Sequence, residues 1–202
     1  MKRLTMNTSV SDNLTKSAQD FINIVWPAIS SHPIVGGGKL TSIEQVDSTD
    51  WQKIFDLLSG IDAWQLLNGK GIRGIASRVQ WKENRETFTI GFSFHGSQST
   101  EYSKRLHAIK DEEDLGLLYP KLTIQAFLDD HNGNLLSACV INTKDLILEV
   151  EKQLQIGKSS RAGNGSDFGI LTNPKSDKRF IYISWSSLLD KLGEDKVGII
   201  RL

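Results

Sequence analysis

Three segments between residues 61 and 94 carry the strand signal that most limits what this chain can fold into. The third reads Glu86-Thr87-Phe88-Thr89-Ile90-Gly91-Phe92-Ser93-Phe94, with every second residue from Phe88 apolar. Only extended backbone turns alternate side chains to one face, so the segment belongs in a sheet with one covered side. Ahead of it, segments 61–67 and 71–82 flank the short turn Asn68-Gly69-Lys70-Gly71. We read the three as strands over 61–67, 71–82 and 86–94, running as a meander.

Helical patterns surround these strands. Ala18, Phe21, Ile22 and Val25 share one face at helical spacing, and Pro27 and Pro33 predict that this helix ends near them. Thr41-Ser42-Ile43-Glu44 has the form of a capping box. Trp51, Ile54, Phe55 and Leu58 line a helix over 50–58, with Ser48 as its cap. Ser99-Thr100-Glu101 opens another. Its inner side is Tyr102, Leu106 and Ile109, and its remainder carries Lys104, Arg105, His107 and Lys110.

The second half continues the alternation. Segments 122–128 and 135–141 read as strands joined by the Asn132-Gly133 hairpin turn. Thr143 is expected to cap a helix that buries Leu146, Ile147, Val150 and Leu154. A Gly/Ser loop over 157–166 carries Lys158 and Arg161. A strand over 179–183 feeds a helix capped by Ser184, with Trp185, Leu188, Leu189 and Leu192 inward. The expected fold is therefore α/β: a mixed central sheet flanked by helices. It forms one domain over 1–202, with residues 1–10 flexible.

Charge and cysteine content narrow the function. Lysine plus arginine equals aspartate plus glutamate, 24 each among 202 residues. No overall basic coat exists to hold nucleic acid, so any such binding needs a local patch. The lone cysteine, Cys139, excludes an intramolecular disulfide and a cysteine-rich zinc site. His32, His95, His107 and His131 show no metal-ligand spacing. No run approaches the roughly 20 apolar residues of a membrane helix, and no secretory leader is visible. The reading is a cytoplasmic protein without a membrane partner. Val35-Gly36-Gly37-Gly38-Lys39 lacks the spaced glycine and Lys-Ser/Thr pair of a phosphate-binding P-loop.

The chemistry-bearing residues gather on the first hairpin. Asp62, in Gly60-Ile61-Asp62, opens one strand, and Arg78-Val79-Gln80 sits in the middle of the next. Arg78 and Gln80 are one position apart and share a face. Arg73, Lys82 and Arg85 lie on or beside the same hairpin and offer a phosphate-facing patch with Arg78. A structural account stands beside this one: Asp62 ends a turn, and Arg78 pairs with Glu86 or Asp62.

Over residues 40–95 this arrangement resembles the PD-(D/E)XK, restriction endonuclease-like, nucleases. Gly60-Ile61-Asp62 stands where that family has its first Asp. Arg78-Val79-Gln80 takes the place of the acidic-x-Lys triplet. The resemblance implies DNA as partner and Mg²⁺-dependent phosphodiester hydrolysis. Asp62 would be the central ligand, Glu44 a second carboxylate, and the Val79 carbonyl a further ligand. Gln80 would orient the attacking water, with phosphate held by Arg73, Arg78, Lys82 and Arg85. Homodimers are common in the family, whose members serve in restriction, repair, recombination and defence. Arg78 departs from the pattern, because a guanidinium has no acceptor for a metal. That departure favours the alternative of a catalytically inactive nuclease-fold protein that binds nucleic acid or a protein partner.

Overall fold

The computed structural model describes residues 8–42, 60–68, 71–93, 100–110, 119–156, 167–173 and 177–202. Glu44, the helix expected over 50–58 and the loop over 157–166 lie outside them. The chain opens with α1 (Thr8–Asp20), a π-helical turn (Phe21–Val25) and α2 (Trp26–Ile29). The helical run ends at Ile29, near Pro27 and ahead of Pro33 as expected, having passed through Pro27. Pro27 lies in the first turn of α2, where a missing N–H breaks no helical bond. The widened turn before it, with Trp26 N donating to Phe21 O, carries the helix up to the proline.

Nine strands follow among the described residues: β1 (Lys39–Ser42), β2 (Ala63–Leu67), β3 (Gly71–Trp81), β4 (Thr87–Ser93), β5 (Leu122–Leu128), β6 (Leu135–Asn142), β7 (Phe168–Thr172), β8 (Arg179–Ser184) and β9 (Val197–Arg201). Three helices lie among them: α3 (Glu101–Lys110), α4 (Thr143–Gln155) and α5 (Trp185–Leu192). The main sheet has the order β1-β2-β3-β5-β6-β9. Only β3 and β5 are parallel in it, with Arg78 opposite Gln125. The architecture is a mixed central sheet flanked by helices.

The meander expected through the first three strands is interrupted. β2 and β3 pair antiparallel, with Ala63 opposite Ile75, but β4 leaves for a second sheet of order β4-β8-β7. Lys82 and Glu86, on either side of the connection, both have positive φ. This turns β4 off the plane of β3. Three strands were not anticipated: β1, β7 and β9. Thr41 and Ser42 lie in β1, and the other half of the capping-box pattern, Ile43 and Glu44, lies outside the described residues. β6 supplies the pairing for β9, with Ile141 opposite Val197.

Each face of the main sheet has its own core. On one, Ile75, Val79, Ile124, Ala126 and Val140 pack against Phe21, Val25, Trp26 and Ile29. On the other, Phe127, Cys139 and Ile141 meet Phe88, Ile90, Ile109, Ile147, Ile181 and Trp185. β5 is buried along its whole length because both its faces are covered. The cap of α4 is Asn142 and not Thr143: the Asn142 side chain accepts from Lys144 N. Ser184 caps α5 as expected, its Oγ accepting from Ser187 N at 3.2 Å.

Cys139 is fully buried in β6. Burial, and then the charge of Glu86, push its thiol well above the ordinary range. The thiolate is the reactive form, so native protein is expected to resist iodoacetamide at neutral pH and to be alkylated once unfolded by urea. Rapid labelling of the folded protein, read by intact mass, would contradict this burial.

Candidate functional site

Asp62 owes its position to two glycines. Gly60 has φ +60°, a conformation that other residues adopt only with strain, and it swings the chain into β2. Ile61, 1% exposed, then packs over Gly74 of β3. A Cβ at Gly74 would come within 2.7 Å of Ile61 Cδ1. Asp62 N donates to Ile75 O at 2.8 Å, and Asp62 Oδ2 accepts from Ser77 N at 2.6 Å. The carboxylate thus satisfies an N–H of β3 just where β2 stops covering that strand. The next alternate N–H, that of Val79, is taken at 3.1 Å by Ser17 Oγ of α1.

Arg78 pairs with neither Glu86 nor Asp62 in the ion pairs of the described residues. Its NH1 donates to Thr89 O at 2.7 Å and to Thr89 Oγ1 at 2.8 Å. Its NH2 lies 3.2 Å from Glu101 Oε2. Glu86 instead takes both prongs of Arg201 at 2.7 Å. Three side chains close the side of β4 that faces away from β8. Arg78 serves Thr89 O, Gln125 Oε1 accepts from Thr89 N at 3.0 Å, and Glu101 Oε2 accepts from Gly91 N at 2.9 Å. An unpaired strand edge is a row of unmet donors and acceptors. Here polar side chains of β3, β5 and α3 complete it and bind the two sheets together.

Glu101 is the hub. Arg105 NH1 lies 2.9 Å from Oε1. Burial alone raises the carboxyl pKa, but Arg105, Arg78 and the Gly91 N–H outweigh it and hold the group below the ordinary carboxylate range. Arg105 is 4% exposed. Its NH1 contact with Glu101 is an ion pair without hydrogen-bond alignment, and among the described residues neither NH1 nor Nε has a hydrogen-bond partner. Helical spacing sets Arg105 off the side of Tyr102, Leu106 and Ile109, yet the fold buries it. The signal that would have found it is the four-residue spacing of Glu101 and Arg105, one helical turn, continued inward by Ala108 and Ile109.

These groups border a cavity of about 300 Å³. Asp62, Arg78, Glu101, Lys104 and Arg105 all line it, with Gln125 on the sheet side. It lies at the notch where β2 ends and α1, α3 and β4 approach β3 and β5.

The remaining expected site residues are dispersed. Gln80 accepts from Gln125 Nε2 at 3.4 Å and lines a separate opening with Val79, Trp81, Glu83 and Arg85. Arg73 donates to Gln65 Oε1 at 2.7 Å and to the carbonyl of Val35, pinning the segment before β1 onto the hairpin. Lys82 is exposed at the end of β3. Arg85 is exposed and pairs with Glu83. The Val79 side chain is buried under the N-terminal helices. Among the described residues no three His, Cys, Asp or Glu side chains come together to hold a metal, and Glu44 lies outside them. No helix among them is long and apolar enough to cross a membrane.

No protein-family model matches the chain, and no curated protein matches it. Among solved structures it is similar to the restriction endonuclease BglI bound to its DNA recognition sequence. The identity is 13% and the TM-score 0.32, over 96% of this chain and 86% of that one. Similarity at that level establishes neither a common descent nor a common activity.

Proposed function

We propose that this is a binding protein for nucleic acid, in which the place of a nuclease's acidic triplet serves to hold two sheets together. The observation that carries the reading is the role of Arg78. It stands where a metal-binding carboxylate is needed and is committed to Thr89 and Glu101. Glu101, the other carboxylate of the cavity, is committed to two arginines and a backbone N–H. Gln80, the expected water-orienting donor, lines a different opening from Asp62. Among the described residues the cavity has three cationic side chains against two carboxylates, which suits an anionic backbone better than a divalent cation.

Purified protein is expected to retain single- or double-stranded DNA on a filter without cutting it, with or without Mg²⁺ or Mn²⁺. Retention should weaken as salt rises, because phosphate contacts release counterions. Metal-dependent cutting that disappears in Asp62→Ala would overturn the reading in favour of a Mg²⁺ nuclease using Asp62 and Glu44. Neither cutting nor retention would leave a protein partner as the account.

A further inference from the structure

We propose that the cavity beside Arg105 is a phosphate-binding site, with the guanidinium of Arg105 as its principal donor and Lys104 and Arg78 as supporting cations. For the source of the phosphate the proposal rests on the nucleic-acid reading; the site itself stands on other observations.

The first is the state of Arg105. Its side chain is 5% exposed, and its Nε and NH1 have no hydrogen-bond partner among the described residues. A buried charged donor without an acceptor is costly, and native proteins rarely leave one so. Glu101 balances the charge but is shared: its oxygens also serve Arg78 and Gly91 N. Both of those contacts fall on Oε2, while Oε1 faces Arg105 NH1 without an aligned hydrogen bond, so Nε and NH1 are buried donors left unsatisfied at the cavity wall among the described residues.

The second is the company Arg105 keeps. Lys104 and Arg78 line the same cavity, from α3 and β3. Each guanidinium N–H is a charged donor, the kind that makes strong hydrogen bonds to phosphate oxygens. A tetrahedral oxyanion has oxygens left over for donors on other sides, which a carboxylate lacks. The excess of positive groups over Asp62 and Glu101 rejects a cation and accepts an anion of one or two charges.

Asp62 opposes the ligand by its charge, and this gives the proposal a signature. Removing that charge should strengthen phosphate binding, whereas a metal site would lose its central ligand. The experiment is a titration of the full chain with sodium phosphate against sodium chloride at constant ionic strength, followed by backbone amide NMR. Saturable shifts are expected around Ser77, Arg78 and Lys104. Affinity should fall about tenfold in Lys104→Met, the factor that one lost contact of 1.4 kcal/mol gives. It should vanish in Arg105→Gln and rise several-fold in Asp62→Asn. Because Arg105 is buried and its loss can cost the fold, Lys104→Met and Asp62→Asn keep the test decisive. No saturable phosphate effect in wild type, or equal binding by wild type, Lys104→Met and Asp62→Asn, overturns the site.

Two further ligand pairs separate the sources. Thymidine 5′-monophosphate is compared with thymidine, and a 5′-phosphorylated oligonucleotide with its unphosphorylated form. Binding confined to the phosphorylated member of each pair supports the site with a terminal phosphate as ligand. Equal binding of both oligonucleotides, with the same amides shifting, supports it with the backbone as ligand. Phosphate bound with no oligonucleotide retained keeps the site and removes the nucleic-acid reading. Oligonucleotide retained while these amides stay still removes the site and keeps that reading.

Discussion

Replacing Glu101 with alanine is expected to destabilise the protein by about 3–5 kcal/mol, the usual loss when one partner of a buried ion pair is removed. Arg105 would be left in the interior with no counter-charge, since its NH1 pairs only with Glu101 in the ion pairs of the described residues. Arg78 would keep Thr89 but lose its carboxylate, and Gly91 N would lose its acceptor. Urea unfolding should show the loss as a lower midpoint at unchanged slope. In Glu101→Ala/Arg105→Met much of the stability should return, because the stranded charge is gone. A single variant within about 1 kcal/mol of wild type, well below that range, would mean that the hub is not formed in solution.

The same hub sets a pH dependence. The folded-state pKa of Glu101 is depressed. Its stabilisation is therefore fully present above the ordinary carboxylate range and is lost as pH falls through the folded-state value. Glu86, held down by its hydrogen bonds to Arg201, acts in the same direction. Stability should decline from neutral pH into the acid range, and the decline should be shallower in Glu101→Gln. An equal slope in the two proteins would assign acid unfolding to other carboxylates.

Trp185→Ala is expected to cost a further large amount, about 3–5 kcal/mol by the usual range for deleting a buried aromatic. Trp185 is fully buried at the start of α5. Its ring lies 5.5 Å from that of Phe127 in the main sheet and 6.0 Å from that of Phe88 in the second. It therefore fills the space between the sheets, and its removal leaves a cavity neither can close alone. Trp185→Phe should cost far less. The indole Nε1 is buried without a partner among the described residues, so phenylalanine removes an unmet donor while keeping much of the ring contact. Equal destabilisation by Phe and Ala would show that the indole makes a polar contact worth more than its packing.

Much of the fold could be read locally. The alternation in Thr87–Ser93 made β4 a strand, with Phe88 and Ile90 inward. The apolar spacing of α4 marked Leu146, Ile147 and Val150 as buried. Asp62 was placed at the entrance to a strand and stands immediately before β2. β9 escaped notice because Val197–Arg201 is short. β1 did so because its Lys, Thr and Ser residues carry little apolar signal, and its pairing partner β2 lies more than twenty residues away.

The candidate site was less legible, because the partners of polar side chains are chosen by long-range packing. Arg78 and Gln80 share a face of β3 by simple alternation. Yet Arg78 is drawn to an open strand edge of the second sheet and Gln80 to Gln125 of β5. Arg105 was not set apart from Lys104, His107 and Lys110, because periodicity cannot say which of several basic residues turns inward.

By itself, then, the sequence determined the strongly patterned elements and their apolar faces, since hydrophobic period acts over a few residues. Tertiary structure decided that β4 belongs to a second sheet and that Glu101 gathers two arginines and a strand edge around one cavity. The reason is physical: a buried charge must find its partners wherever the fold brings them, and here they come from β3, β4 and α3.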